Sequence, residues 1–302
     1  MPNVSVVIPT YNNAALLHET LDGVMRQTVQ DLEVLVVDDG STDDTEAVVR
    51  RYDSRFRYIK QANQGPAAAR NTGAKKALGE YIAFLDHDDI WNERHLATLL
   101  DSFDKFPQAG MVFDDVEYFG EGLAAGSTHI DREVVASMVD RPVPIRRIWQ
   151  CWVASMSVVM VRKSIFDEVG GLNPTIWGLD DLHFYLRLAA RREIRFAAYI
   201  GCRKRVCDSN LLPTVGLKGL VDCLEELQNH NPEVMRAMGP VKFRLRLARK
   251  QHKLALMYLR DQNTRPAREL LWKAYKQNPS NLVYLWRFFN SKRRIDRVAD
   301  GR

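Results

Sequence analysis

The sequence predicts an α/β fold whose central, mostly parallel sheet is flanked by helices and followed by an all-α extension. Three observations predict it. Through the first hundred residues, short apolar runs alternate with helix-period segments about a dozen residues long. One of those runs, Tyr81-Ile82-Ala83-Phe84-Leu85, is apolar throughout, as a parallel strand covered on both faces must be. Beyond Leu217 the pattern is almost entirely helical. The expected division is an α/β domain over 1–215 and a helical region over 216–302.

Val4-Ser5-Val6-Val7-Ile8 reads as the first strand, closed by Pro9, which has no N–H to give a ladder. A helix over 14–26 follows, with Leu17, Leu21, Val24 and Met25 on one face. The second strand spans 33–37 and ends in Asp38-Asp39-Gly40-Ser41-Thr42-Asp43, a turn leading to a helix over 44–52. The third strand covers 56–60. Gly65-Pro66 opens a helix over about 67–78, where proline suits the first turn. After the strand at 81–85 come a helix over 93–106, strands over 111–119, 156–161 and 194–200, and a helix over 180–192. The polar stretch reaching Pro144 has no clear period.

Apolar residues are 46% and charged residues 27%, which places the chain among soluble globular proteins. No basic, apolar leader is present, and the longest apolar-leaning stretch, 149–161, is shorter than the ~20 residues that cross a bilayer. The four cysteines include no metal-ligand spacing and suit reduced thiols. The expectation is a cytoplasmic protein. Its net charge of +5 is unevenly spread: residues 241–302 carry 17 Lys+Arg against 4 Asp+Glu, which leaves 1–240 acidic. That basic region is either a solvated face or a contact for anionic headgroups at the inner face of a membrane. No nucleic-acid-binding motif accompanies the charge, so nucleic acid is not an expected partner.

Ligands of parallel sheets sit beyond the carboxyl ends of the strands. Those ends carry Thr10-Tyr11-Asn12-Asn13, Asp38-Asp39-Gly40-Ser41 and Asp86-His87-Asp88-Asp89. The first of these turns lacks the glycine pattern of a dinucleotide site. Three acids within four residues repel one another unless a cation lies among them, and hard oxygens suit Mg²⁺ or Mn²⁺. The plainer alternative is that Asp89 or Asn92 caps the next helix, which accounts for one acid but not three. Asp38 and Asp39 fit turn-forming roles equally well. Asp180 and Asp181 open a helix, where acids favour the dipole, or else supply a general base.

Together these segments resemble family 2 glycosyltransferases of the GT-A fold. The matching blocks are Val4 to Asn12, Val36-Val37-Asp38-Asp39-Gly40-Ser41-Thr42-Asp43, Asn63 to Gly73, Phe84-Leu85-Asp86-His87-Asp88-Asp89, Val169-Gly170-Gly171-Leu172 and Gly178-Leu179-Asp180-Asp181. They run in order over roughly residues 3–200. The resemblance implies an inverting, metal-dependent transferase acting in bacterial-type surface polysaccharide or glycoconjugate assembly. Its donor would be a nucleotide sugar, a UDP-sugar being the commoner choice, and its acceptor a glycan or glycolipid. Pro9, Thr10, Tyr11, Asp38, Asp39, Arg70 and Asp86 would bind the donor. Asp86 and Asp88 would hold Mn²⁺ or Mg²⁺, Asp181 would be the base, and Asp180 would steady it or the acceptor. One departure stands out: where many members carry a metal-ligand His in an Arg-x-His run, this chain has Arg205-Val206-Cys207. Residues 251–279 resemble a single tetratricopeptide unit, which needs neighbours to cover it.

Two other functions fit parts of the pattern. A sugar nucleotidyltransferase needs a Gly-rich, Arg-containing loop after the first strand, and Pro9-Thr10-Tyr11-Asn12 is not one. A non-catalytic glycan-binding protein of this fold has no use for the acids at 86, 88, 180 and 181.

Overall fold

Strand β1 (Val4–Thr10) is buried along its whole length and pairs in parallel with β2 (Leu32–Asp38) on one side and β4 (Tyr81–Phe84) on the other. The computed structural model describes residues 2–120, 125–151, 154–206 and 212–299. Cys207 lies outside them. Among the described residues one sheet of eight strands runs β3-β2-β1-β4-β7-β6-β8-β5. The remaining strands are β3 (Phe56–Lys60), β5 (Ile90–Trp91), β6 (Ala109–Gly120), β7 (Val159–Arg162) and β8 (Glu193–Val206). Strands β3, β2, β1 and β4 are mutually parallel, β7 runs antiparallel to both β4 and β6, and β6 and β8 are parallel again. Short β5 closes the edge antiparallel to β8.

Helices α1 (Ala14–Met25), α2 (Thr45–Val49) and α3 (Pro66–Lys76) connect the parallel strands, and α4 (His95–Lys105) follows β5. The stretch without a clear period contains α5 (Arg132–Met138), and α6 (Ile145–Cys151) follows it. Helix α7 (Lys163–Val169) precedes α8 (Asp180–Ala189), which is buried on nearly every side rather than along one stripe. Leu17, Leu21 and Val24 of α1 join Val6, Val34 and Val36 in the core, whereas Met25 is exposed at the helix end. Helix α3 approaches the sheet closely. A Cβ on Gly73 would stand 2.4 Å from Cγ1 of Val7, so only glycine fits there.

Two elements differ from expectation. Pro9 does not end the first strand: pairing with β2 continues through Pro9 and Thr10. Thr10 O accepts from Asp39 N on the β2 side, and Val7 O accepts from Leu85 N on the β4 side, so the missing donor of Pro9 faces β4. Pairing with β4 has already ended at Val7, and no ladder bond is lost. The strand expected over 156–161 is a 3₁₀ turn (Met156–Val158) followed by β7. Ser157 causes the break, since its carbonyl accepts from Trp91 Nε1 at 2.6 Å and its hydroxyl donates to Asp89 at 2.6 Å.

The helical unit comprises 211–302 together with Ile176–Leu179, while Met1–Thr175 and Asp180–Asn210 form the α/β unit. Its elements are α9 (Leu212–His230), α10 (Pro232–Met238), α11 (Pro240–Arg260), α12 (Thr264–Gln277) and α13 (Leu282–Ala299). Val221, Leu254, Ala255, Ala267 and Leu271 form its core, with Phe288 of α13 packed against them.

Candidate active site

The loops after β1, β2 and β3 converge because their side chains bind one another. Asp43 accepts from Ala14 N at 2.9 Å and from Thr45 Oγ1, so one carboxylate caps the starts of α1 and α2. Asn12, at a left-handed φ of 49°, accepts from Thr42 N and donates its own N–H to Ser41 Oγ. Asp38 is buried, accepts from Ser41 N at 2.7 Å and takes the Tyr58 hydroxyl on its other oxygen. Asp39 accepts from Gln61 Nε2 and from the backbone N–H groups of Gln64 and Gly65, which sets the entry to α3. Both acids therefore shape the loops that follow β2 and β3. Thr10 is buried with its hydroxyl unpartnered among the described residues, and Tyr11 stands half-exposed beside it.

The acidic loop after β4 is fastened at both ends. Thr20 of α1 donates to His87 O, and Asp86 N donates to Ser157 Oγ. Asp89 does not cap α4. It is fully buried and accepts from Ser157 Oγ, from Arg205 N and from Lys204 Nζ at 2.8 Å. Asp88 behaves differently. Its backbone carbonyl accepts from Arg205 Nε, while its half-buried carboxylate accepts no hydrogen bond among the described residues.

Arg70 of α3 joins the two acid clusters. One guanidinium nitrogen lies 2.6 Å from Asp86 Oδ1 and another 3.2 Å from Asp180 Oδ2. Burial works against the Arg70 charge, but Asp86 and Asp180 more than offset it and raise its pKa. Burial likewise opposes ionisation of Asp86, yet Arg70 and Lys204 hold its carboxyl well below the usual range. Burial pushes Asp180 up against the pull of Arg70. Asp180 is thus an enclosed member of an ion pair, whereas Asp181 is half-exposed and accepts from Leu182 N at 2.6 Å.

Lys204 is the site residue that the sequence patterns missed. Its ammonium lies 3.4 Å from Asp86 and 2.8 Å from Asp89, and those acids keep it charged despite partial burial. The signal was strand parity: Lys204 is two residues from the fully buried Cys202 and shares its inward face. Behind it, the fully buried His95 and Asp114 meet at 2.8 Å under Gly201. A Cβ on Gly201 would lie 2.0 Å from Asp114 Oδ2, so only glycine lets β8 pass.

Asp86 and Asp88 supply two hard oxygen donors on one loop, and Asp88 has an open coordination capacity. That set fits Mg²⁺ or Mn²⁺ completed by phosphate oxygens, although no group of three His, Cys, Asp or Glu residues converges among the described residues.

The sequence model of "Glycosyl transferase family 2" matches residues 5–170. A 90-residue stretch, 29% of this chain, is 49% identical to an "Uncharacterized glycosyltransferase" of Rickettsia felis and spans 15% of that protein. Over 105 residues the chain is 40% identical to "GalNAc(5)-diNAcBac-PP-undecaprenol beta-1,3-glucosyltransferase" of Campylobacter jejuni, covering 33% of this chain and 34% of the relative. The matched stretches are therefore well under two thirds of these relatives' lengths. Among solved structures, S. aureus TarS 1–349 in complex with UDP-GlcNAc superimposes with a TM-score of 0.70 at 18% identity, covering 100% of this chain and 93% of that one. That likeness establishes a shared GT-A type fold.

Proposed function

The chain belongs to glycosyl transferase family 2, and on that premise we propose that it moves a sugar from a nucleoside diphosphate donor to an acceptor hydroxyl, with inversion at the anomeric carbon. The observation that carries this is the Arg70 bridge. One buried guanidinium ties the donor-side acid Asp86 to Asp180 at the start of α8, so half-exposed Asp181 stands next to the acidic loop. A general base has to lie within hydrogen-bond reach of the attacking hydroxyl, and Asp181 is the more accessible of the pair. Asp180, fixed by Arg70, orients it.

On the donor side, Pro9, Thr10 and Tyr11 would line the nucleoside pocket, with Asp38 and Asp39 fixing the loops that frame it. Asp86 and Asp88 would hold Mn²⁺ or Mg²⁺. Such an ion offsets charge on the leaving diphosphate. The TarS complex contains UDP-GlcNAc, which favours a uridine donor here. The name of the Campylobacter relative favours a lipid-linked glycan acceptor and a place in surface polysaccharide assembly.

A membrane contact for such an acceptor is part of the same proposal. No helix among the described residues is long and apolar enough to cross a bilayer. Helix α11 carries Lys242, Arg244, Arg246, Arg249, Lys250, Lys253 and Arg260 without one acid, and the outward face of α13 exposes Leu282, Trp286 and Phe289. Cations beside an aromatic stripe suit an anionic lipid surface at the cytoplasmic face.

The test of function is a thermal-shift panel of nucleotide sugars with Mn²⁺, since a bound donor stabilises the fold by mass action. A donor that raises Tm for the wild type but supports no transfer with Asp88→Ala, or in EDTA, is the expected result. Full transfer by Asp88→Ala would remove Asp88 from the site.

A further inference from the structure

Lys204 occupies a position that loop chemistry alone does not require. Asp89 already accepts from the Ser157 hydroxyl and the Arg205 backbone, and a lysine serving only as its counter-ion could stay beneath the loop. The Lys204 ammonium instead leans to Asp86 as well, at 3.4 Å, and its side chain keeps 25% of its surface exposed. An ammonium has three N–H donors, and two are used here. The third is open among the described residues.

Charge in the loop points the same way. Both oxygens of Asp86 are engaged by fixed cations, Oδ1 by Arg70 and Oδ2 by Lys204. The negative charge that a divalent ion would otherwise find on Asp86 is already balanced, and Asp88 alone stays unmatched.

We infer that Lys204 is a resident cation of the donor site, which donates its free N–H to the diphosphate so that a nucleoside diphosphate binds without a divalent ion. The inference rests on the donor-site reading above. It separates two requirements: transfer needs the metal, and nucleotide binding does not. Lysine is a strongly charged phosphate donor, and a charge-assisted bond of this kind is worth about tenfold or more in affinity.

The experiment is calorimetric titration of the full chain with each of UDP, GDP and dTDP, in excess Mn²⁺ and in EDTA. The wild type is expected to bind one of them in both conditions. Lys204→Met leaves Asp89 as an uncompensated buried charge, so the paired variant Lys204→Met/Asp89→Asn is measured beside it. Loss of about tenfold or more in EDTA, with a smaller loss in Mn²⁺ and recovery in Lys204→Arg, is the predicted pattern. A purely structural lysine would weaken binding equally in both conditions, and that result overturns the inference. So does wild-type binding that disappears in EDTA. If none of the three nucleotides binds even with Mn²⁺, the donor site itself is contradicted, and this inference falls with it.

Discussion

Arg70 makes two carboxylates unequal that the sequence sets side by side. Asp180 takes its guanidinium and is enclosed, whereas Asp181 keeps part of its surface accessible. Asp181→Asn should therefore retain donor binding and lose at least ~10² in kcat, while Asp180→Asn does less harm. The reverse order, measured with a common acceptor, would exchange the two roles. Among the residues predicted for the site, Asp86, Asp88, Asp180 and Asp181 were legible because they stand at strand or helix ends. Lys204 was not, because a lysine in a run of basic residues looks like a solvated edge until pairing fixes its face. The buried His95–Asp114 pair was equally hidden. Burial pushes Asp114 up to about 6, against the pull of its His95 partner. Its folded value exceeds the unfolded value of about 4, so the folded state holds the extra proton between those limits. Asp114 thus costs stability progressively as pH rises from about 4 to 6, and the cost is constant above. Removing that titration with Asp114→Asn should make the variant-minus-wild-type Tm difference climb across this window and level off. A flat difference would show that Asp114 does not titrate there.

The parallel half of the sheet could be read directly, since β1, β2, β3 and β4 are apolar runs between helix-period segments. The segments that escaped were those where a polar side chain overrides local pattern, as Ser157 does in turning the chain before β7. Pro9 misled for a geometric reason: a proline is tolerated when its missing donor faces past the end of the neighbouring strand. Close packing was invisible too. Gly73→Ala would ordinarily gain up to about 1 kcal/mol of helix propensity, but the 2.4 Å approach to Val7 makes overpacking, at about 1–3 kcal/mol, the larger effect. Tm should fall by several degrees, and a rise in thermal denaturation would contradict the tight contact between α3 and β1. For α13, Trp286→Ser with Phe289→Ser should weaken binding to anionic phospholipid vesicles. Both residues are exposed, but the Phe289 ring meets Phe288 edge-on at 5.4 Å, so a modest loss of stability is expected beside the loss of vesicle binding. Undiminished vesicle binding would leave that face without a lipid role.

At the scale of the molecule, the chain separates chemistry from charge. Every acid assigned to the reaction lies in the α/β unit, whereas residues 241–302 carry 17 Lys+Arg against 4 Asp+Glu. Attraction to anionic vesicles should accordingly fade as salt shortens the screening length from about 30 Å at 0.01 M to about 10 Å at 0.1 M, with turnover on a soluble acceptor unaffected. Inverting transfer from a nucleoside diphosphate requires that Asp181 draw the acceptor proton. It is tested most directly by proton NMR of the product formed from an α-linked nucleotide sugar with Mn²⁺ present. A β-configured product is expected as the first species, formed at least ~10²-fold more slowly with Asp181→Asn. An α-configured first product, or an undiminished rate in that variant, would refute this reading.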